Sequence, residues 1–256
     1  MPPGSHLRNI KLIVSYDGTE FSGWQTQAGV RTVQETLENA ITALTGERAS
    51  ANASGRTDAG VHAVGQVVNF YTNSEHSLDV MVRAINAHLP ADVVVREAAD
   101  MAQAFDANRD ARAKLYRYVI HDGPVPDPFL RRFCFHTSHK LDLVAMKEGA
   151  LSLSGRHDFR SFETDWPNRM SSVRTVMHLT LNRAGEWIWL DVEADGFLYN
   201  MVRAIAGTLI NVGRGYWPPS QVRQILEAQD RRVAGPTAPA LGLFLMRVRY
   251  DEDSLP

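Results

Sequence analysis

One short stretch of the sequence carries a guanidinium and a carboxylate side by side. Residues 53–65 read ASGRTDAGVHAVG, so Arg56 and Asp58 are two positions apart. That spacing puts both side chains on the same side of an extended or loop backbone. A planar guanidinium can then fork onto the carboxylate, which fixes its direction and favours its ionised form. An oriented, ionised carboxylate is what nucleophilic or base catalysis requires.

Two plainer interpretations of this stretch compete with catalysis. Gly55 and Gly60 have the spacing of a phosphate-binding loop, but Val61-His62 stands where that loop requires Lys-Ser/Thr. A strand pattern follows, whereas a phosphate-binding loop opens a helix, so this interpretation is rejected. The second is a tight turn with a surface ion pair, which spacing alone favours slightly because Asp and Gly are common in turns. Glycines at 55, 60 and 65 give the backbone its freedom in either case.

Composition indicates a globular chain. Of the 256 residues, 44% are hydrophobic and 22% charged, enough to bury a substantial core in one large or two ordinary domains. The single cysteine, Cys134, excludes an internal disulfide and suits a reducing compartment. No apolar run approaches the ~20 residues of a membrane span, and the N-terminus has no signal-peptide pattern, so we expect a cytoplasmic protein with no membrane partner.

Hydrophobic periodicity locates the elements that must position this stretch. Thr32 and Glu35 fit a capping box at a helix start, and Asp195 stands where it could accept backbone N–H groups of a later helix. The pattern predicts strands at 10–14, 64–71, 93–98, 115–120, 173–182, 187–193 and 243–249, a weak strand at 48–53, and helices at 33–44, 78–89, 141–153, 198–212 and 220–228.

The β-α-β-β-α-β order of the second half is ferredoxin-like, and the first half reads as a copy of it. We therefore expect an α+β fold of two ferredoxin-like lobes with antiparallel sheets side by side and an active-site cleft between them. The predicted divisions are an N-terminal tail at 1–8, an N-terminal lobe with the Asp58 loop at 9–105, a C-terminal lobe at 106–250 and an acidic tail at 251–256.

The amino-acid sequence of this stretch resembles the signature of one family. GRTDAGVHA at 55–63 is similar to the signature of the TruA family of bacterial tRNA pseudouridine synthases. The resemblance extends from Leu12 to Val248 and implies the same two-lobed architecture. Further blocks follow in order: YDGT at 16–19, F-x-G-W-Q at 21–25, G-x-H-D-F-x-S-F at 155–162, DGFLYNMVR at 195–203 and A-P-A-x-G-L at 238–243.

The resemblance assigns roles that the residues alone do not. It makes Asp58 the catalytic residue, Arg203 the partner of its carboxylate, Tyr116 the ring that stacks on the target base and Leu243 an apolar wall of the uracil pocket. Arg56 is the alternative support for the carboxylate. Read without the family, Arg203 is a solvated helix charge. Tyr116 is then one of several residues on the same half-buried strand face, the common structural case.

The family isomerises uridine to pseudouridine at tRNA positions 38, 39 and 40 in the anticodon stem-loop and works as a homodimer, so the resemblance implies both here. The reaction keeps the uracil, and no cofactor, metal or energy source is expected. A single carboxylate such as Asp58 could attack the sugar, attack the base or remove a sugar proton. The sequence does not choose among these routes.

Contact with tRNA needs clustered cations, because the net charge is only −2. Asn108 stands where the family usually has the Arg of a Phe-x-Ala-Arg pattern, which leaves a contact at that position in question. Loops at 123–128 and 164–169 are candidate RNA-gripping insertions. The tRNA-binding candidates are Arg109, Arg112, Lys114 and Arg169, with Arg117 in the same basic segment.

Two other hypotheses remain open. A hydrolytic nucleosidase or glycosidase would need a second carboxylate as general acid, for which Asp195 is the candidate. A non-catalytic RNA-binding module would explain the lobes but give Asp58 no role. Cys134-x-His136-x-x-His139 has metal-ligand residues but no fourth ligand nearby, so a metal site is not expected.

Overall fold

The computed structural model describes residues 7–164 and 171–251. The chain divides into two compact units: the described residues of 1–112 and 245–256 form unit 1, and those of 113–244 form unit 2. Both units are mixed α and β. Within their described parts, strand pairing is mostly antiparallel, and one short pair in unit 2 is parallel.

Unit 1 is built on a sheet in which the first strand of the chain, Arg8–Tyr16, has a neighbour on each side. The sheet order is β4-β1-β3-β10, and β2 also pairs with β3. Ile10, Leu12 and Val14 alternate along the central strand and are fully buried. The elements are β1 (Arg8–Tyr16), α1 (Val33–Thr45), β2 (Asn52–Ala53), β3 (His62–Thr72), α2 (Leu78–His88), β4 (Val93–Met101) and most of β10 (Leu243–Arg249).

The start of α1 does not use the predicted capping box. Thr32 is the N-cap residue, but its hydroxyl makes no capping bond and is buried with no partner among the described residues. The carbonyls of Gly23 and Trp24 instead accept the first two helical N–H groups, from Val33 at 3.2 Å and Gln34 at 3.0 Å. The prediction was wrong because backbone carbonyls of the preceding loop, not the Thr32 side chain, satisfy these donors.

The strands of unit 2 have the order β5-β9-β8-β7, and β6 pairs parallel to β5. Helix α4 is buried along almost its whole length and packs against α3. The elements are β5 (Ala113–His121), β6 (Phe135–His136), α3 (Leu143–Ala150), β7 (Gly155–Asp158), β8 (Val173–Ala184), β9 (Trp187–Ala194), α4 (Met201–Gly213) and α5 (Gln221–Ala228). The description of the two lobes as ferredoxin-like stays a prediction.

Asp195 does not lie at the start of α4. Its carboxylate accepts the backbone N–H of Thr175 at 2.9 Å, and its own N–H donates to the Thr175 carbonyl at 3.2 Å. The helix begins at Met201, after Asn200 in a left-handed conformation with φ 63°. The predicted N-terminal interaction was therefore wrong, because Asp195 continues the β8–β9 pairing.

Candidate active site

The Asp58 loop leaves β2 and returns at β3, and buried polar groups hold its first residues. The Ser54 hydroxyl lies 2.7 Å from Gln66 Oε1, and the Gln66 amide nitrogen donates to the Gly55 carbonyl at 2.8 Å. Both Ser54 and Gln66 are fully buried. A buried amide with both ends bonded has one orientation, so the entrance to the loop is fixed.

Thr57, the residue before Asp58, is held by its side chain and its backbone. Its Oγ1 lies 2.7 Å from the hydroxyl of Tyr16 at the end of β1, and its carbonyl accepts the Trp24 N–H at 3.0 Å. Burial raises the pKa of Tyr16 to about 12, so this phenol stays neutral near pH 7. The bonds lie directly beside the candidate catalytic carboxylate.

The far side of the loop is a turn that a glycine makes feasible. The Val61 N–H donates to the Asp58 carbonyl at 3.1 Å, and Gly60 has φ 75°, a conformation that side-chain-bearing residues rarely adopt. Gly65 serves differently, since a Cβ there would lie 2.6 Å from the Met246 carbonyl oxygen. Neither Gly55 nor Gly65 has a positive φ, so of the three glycines only Gly60 adopts a conformation that needs this freedom.

Arg56 does not fork onto Asp58. Its side chain is exposed and forms no ion pair or hydrogen bond with another described residue. Asp58 is half-buried and makes an interaction of its own. The geometric argument from the i, i+2 spacing was wrong, because the strand ends at Ala53 and the chain bends at residues 54–55, before Arg56.

Asn108, which follows β4 in the sequence, also binds this loop. Its amide nitrogen donates to the Ser54 carbonyl at 2.8 Å. Where the family's usual Arg would carry a charge, this chain has a neutral donor directed at the loop backbone. Asn108 therefore holds the start of the Asp58 loop at Ser54, a role the sequence did not reveal.

In unit 2, Tyr116 lies on β5 with only 8% of its surface exposed. Its ring meets that of Phe197 edge to face, with centroids 4.9 Å apart and planes at 81°. Tyr118, two residues on, is completely buried, and its hydroxyl donates to the Pro239 carbonyl at 2.8 Å. Burial raises its pKa. Tyr118 is thus a core residue, whereas Tyr116 lies at the edge of the core.

Arg203 ties α4 to the segment that precedes Leu243. Its Nε donates to the Ala238 carbonyl at 2.7 Å, and the Ala238 N–H donates to the Arg203 carbonyl at 3.0 Å. A second guanidinium nitrogen donates to Asn200 Oδ1 at 2.8 Å. The side chain is half-buried and makes a further interaction, so the interpretation as a solvated charge was wrong. Leu243 begins β10 with 6% of its surface exposed.

The basic candidates differ in how available their charges are. Arg109 pairs with Asp110 at 2.9 Å and Arg112 with Asp251 at 2.6 Å, all in unit 1. Lys114 is half-buried, and desolvation lowers its pKa. The remaining candidate, Arg169, lies outside the described residues, as does most of the predicted loop at 164–169.

The Cys134, His136 and His139 triplet makes ordinary structural contacts. The Cys134 thiol donates to the Leu130 carbonyl at 3.3 Å, and burial raises its pKa to about 11. A ring nitrogen of His136 lies 3.0 Å from the Gly123 carbonyl. Across residues 7–164 and 171–251, no three His, Cys, Asp or Glu side chains come together as metal ligands would.

The sequence-predicted residues therefore fall into two groups. Asp58 and Arg56 lie on one loop of unit 1, while Tyr116, Arg203 and Leu243 belong to unit 2. Sequence reasoning missed Tyr16, Gln66 and Asn108, which fix the Asp58 loop. Tyr16 was detectable as the first residue of the YDGT block, but neither of the amides carries a local signal.

Comparison with known proteins decides the family. The sequence profile described as tRNA pseudouridine synthase matches residues 12–108 and 150–251. The chain belongs to this family. The resemblance predicted from residues 55–63 is thereby confirmed, and with it the enzyme class, since pseudouridine synthases are isomerases that convert uridine to pseudouridine. The rival classes, a hydrolase and a non-catalytic RNA-binding module, are set aside.

Similar proteins cover nearly the whole chain, and each is named tRNA pseudouridine synthase A. The one from Acetivibrio thermocellus is 44% identical over 244 residues, which is 95% of this chain and 100% of that protein. The one from Pelobacter propionicus is 45% identical with the same coverage. The one from Chloroflexus aurantiacus is 44% identical over 251 residues, 95% of this chain and 89% of that protein. Within the described residues, no helix has the length and apolar content to span a membrane.

Proposed function

We propose that this protein isomerises uridines 38, 39 and 40 of the tRNA anticodon stem-loop and that Asp58 is its one catalytic carboxylate. The observation that supports this most is the anchoring of Thr57 by Tyr16 and Trp24, directly beside Asp58. A carboxylate that must act on one bond of a large substrate needs a fixed backbone, because small displacements of a reacting group are costly in rate.

The reaction breaks the N1–C1′ bond, turns the uracil and joins C5 to C1′. The C5 hydrogen leaves as a proton, and N1 gains one. The composition of the nucleotide is unchanged, so one carboxylate beside the nucleotide is sufficient for the chemistry. Asp58 supplies it by acting on the sugar, on the base or on a sugar proton.

The target uridine must leave its stack before Asp58 can reach it. Tyr116 stacks on the extruded uracil, and the edge-to-face ring of Phe197 restricts how Tyr116 can turn. Leu243 provides an apolar contact for the base. Arg203 is the proposed support of the catalytic carboxylate, and its bonds to Ala238 and Asn200 hold the guanidinium in one direction.

Binding of the tRNA depends on the phosphates. Arg109 and Arg112 lie exposed in unit 1 beside acidic partners that a phosphate can replace. Lys114 and Arg169 complete the set. The enzyme acts as a cytoplasmic homodimer of two ferredoxin-like lobes per chain and uses no cofactor.

Tritium release tests this proposal. The protein is incubated with tRNAs that carry a tritium label at uracil C5 and a single uridine at position 38, 39 or 40. Release of the label with retention of the base is the expected result for each position. Free uracil would indicate a hydrolase, and label retained in the anticodon stem-loop but released elsewhere would contradict the assigned positions.

A further inference from the structure

The most exposed aromatic ring among the described residues lies on a turn of unit 2. Phe129 has 87% of its surface exposed, and Val125, four residues earlier, has 70%. Single exposed apolar residues are normal, whereas exposed apolar surface that is contiguous marks a binding site. Val125 and Phe129 are exposed on the same short loop. The reaction as proposed above gives this ring no role.

The backbone of the turn is fixed, so the ring does not project from a loose loop. Asp127 Oδ1 accepts the N–H groups of Phe129 at 2.8 Å and Leu130 at 3.2 Å. The Leu130 carbonyl accepts the Phe133 N–H at 2.8 Å and the thiol of Cys134 at 3.3 Å, and Cys134 is buried. These bonds join the turn to the core of unit 2 and hold Phe129 outward.

Two arginines follow the exposed ring. Arg131 and Arg132 are both exposed, and one nitrogen of Arg131 donates to the Pro128 carbonyl at 2.6 Å. That bond uses one of five guanidinium donors and keeps the charge close to the turn. An aromatic ring beside cations complements a polyanion that also offers flat rings. A purely apolar partner would leave the arginines to be desolvated without compensation.

We propose that the turn at residues 127–133 is a separate RNA-binding site, in which Phe129 stacks on an unpaired base of the tRNA and Arg131 contacts a neighbouring phosphate. This inference rests on the proposed function, because it takes tRNA as the substrate. Stacking on an aromatic side chain accepts every base, so the site reads the presence of an unpaired base and not its identity. A base inside a continuous duplex has no free face and does not fit.

The test compares two RNAs with matched variants. Binding to tRNA and to a blunt RNA duplex is measured by fluorescence anisotropy for the parent, Phe129→Ala, Phe129→Trp and Arg131→Ala. Val144→Ala is the control, since Val144 on α3 is 76% exposed and stands apart from any proposed site. Thermal unfolding checks that each variant is folded, and sedimentation gives the oligomeric state.

Phe129→Ala should weaken tRNA binding about 5- to 150-fold, which corresponds to the roughly 1–3 kcal/mol of one base–aromatic stack. The same variant should bind the duplex like the parent, and Phe129→Trp should restore tRNA binding. Arg131→Ala should weaken binding to both RNAs, because a phosphate contact does not need an unpaired base.

Several results would overturn the inference. Unchanged tRNA affinity of Phe129→Ala would do so, as would equal losses on both RNAs. Dissociation of a parent dimer by Phe129→Ala would instead assign the turn to contact with a second copy of the chain. Failure of the proposed function is distinguishable, because the parent protein would then release no tritium from C5-labelled tRNA.

Discussion

The hydroxyl of Tyr16 lies 2.7 Å from Oγ1 of Thr57, the residue before Asp58, and both side chains are buried. The two residues are 41 positions apart, so the bond joins the end of β1 to the loop after β2. It anchors the loop at the residue directly before Asp58.

Tyr16→Phe should therefore slow turnover while leaving tRNA affinity unchanged. The ring still packs, but Thr57 loses its partner, and the free energy of unfolding should fall by about 1 kcal/mol. Single-turnover kinetics and thermal unfolding measure the two effects. Tyr71→Phe is the matched control. It also removes a hydroxyl with one hydrogen bond, to the Gln103 carbonyl, but that bond is exposed and does not involve the Asp58 loop. Parent-like kinetics of Tyr16→Phe would show that the bond does not position Asp58.

Asp58→Asn should abolish turnover and leave the fold and the tRNA affinity nearly intact. The side chain keeps its size, and a half-buried loop residue contributes little to stability compared with a core residue. Tritium release and anisotropy on the same preparation check both parts. Asp79→Asn, an exposed acid on α2, serves as the control. Measurable turnover by purified Asp58→Asn would refute its assignment as the catalytic carboxylate.

Tyr116→Phe should keep tRNA binding but slow the chemical step if the hydroxyl takes part in the site. The ring retains its edge-to-face contact with Phe197, so the stability should change little. Tyr116→Ala should impair binding as well. Because Tyr116 is 92% buried, the Ala variant also loses about 3 kcal/mol of core packing.

Tyr116→Phe is for that reason the variant that decides whether the hydroxyl has a catalytic role. Tyr118→Phe is its control, because it measures the effect of removing a tyrosine hydroxyl from the core. Tyr118→Phe removes a hydrogen bond to the Pro239 carbonyl and should lower the free energy of unfolding by about 1 kcal/mol. If Tyr116→Phe shows parent-like kinetics and Tyr116→Ala, once shown to be folded, does too, then Tyr116 has only a structural role.

Neutralising Arg109 and Arg112 together should reduce the salt dependence of tRNA binding. Each phosphate contact contributes about 0.7–0.9 to the slope of log K against log salt, so the double variant should lose at most about 2. A titration from low to high salt measures this. Arg223→Ala with Arg232→Ala is the control, because these arginines also form exposed pairs with local acids. An unchanged slope would move the phosphate contacts elsewhere.

Asp122→Asn should destabilise unit 2 at neutral pH. The Asp122 side chain has no exposed surface and accepts bonds from Leu141 N–H, Arg183 and Lys140. Desolvation raises its pKa, but these three bonds outweigh it, so the pKa lies below its ordinary value. Removing one member of a buried ion pair typically costs about 3–5 kcal/mol.

The pH dependence follows from the sign of that shift. A lowered pKa in the folded state means that the stabilisation is complete above the ordinary Asp pKa of about 3.9 and is lost as the pH falls through the lower folded value. Unfolding measured between pH 2 and 7 should show a smaller acid-induced loss in Asp122→Asn than in the parent. Asp230→Asn is the control. The pKa of Asp230 is also lowered, to about 2, but by a pair with the exposed Arg232, and exposed pairs contribute little to stability.

Local patterns determined the elements and the family. Alternation over 10–14 predicted β1, and the periodic apolar residues of α1 and α2 predicted both helices to within a residue or two, because burial of one face repeats at a fixed interval. The short strands β6 and β7 escaped prediction, since two to four residues are too few for a period to show. The signature at 55–63 sufficed for the family.

Only the tertiary structure decided what surrounds Asp58. Tyr16, Gln66 and Asn108 reach its loop from 41, 11 and 54 positions away from their partners, and no local pattern encodes such pairings. Spacing suggested a fork between Arg56 and Asp58, a cap from Thr32 and a helix role for Asp195, and all three were wrong. A side chain with several potential partners bonds to the one that the packed fold brings within hydrogen-bond distance. Which partner that is depends on the packing of the whole chain and not on the local sequence.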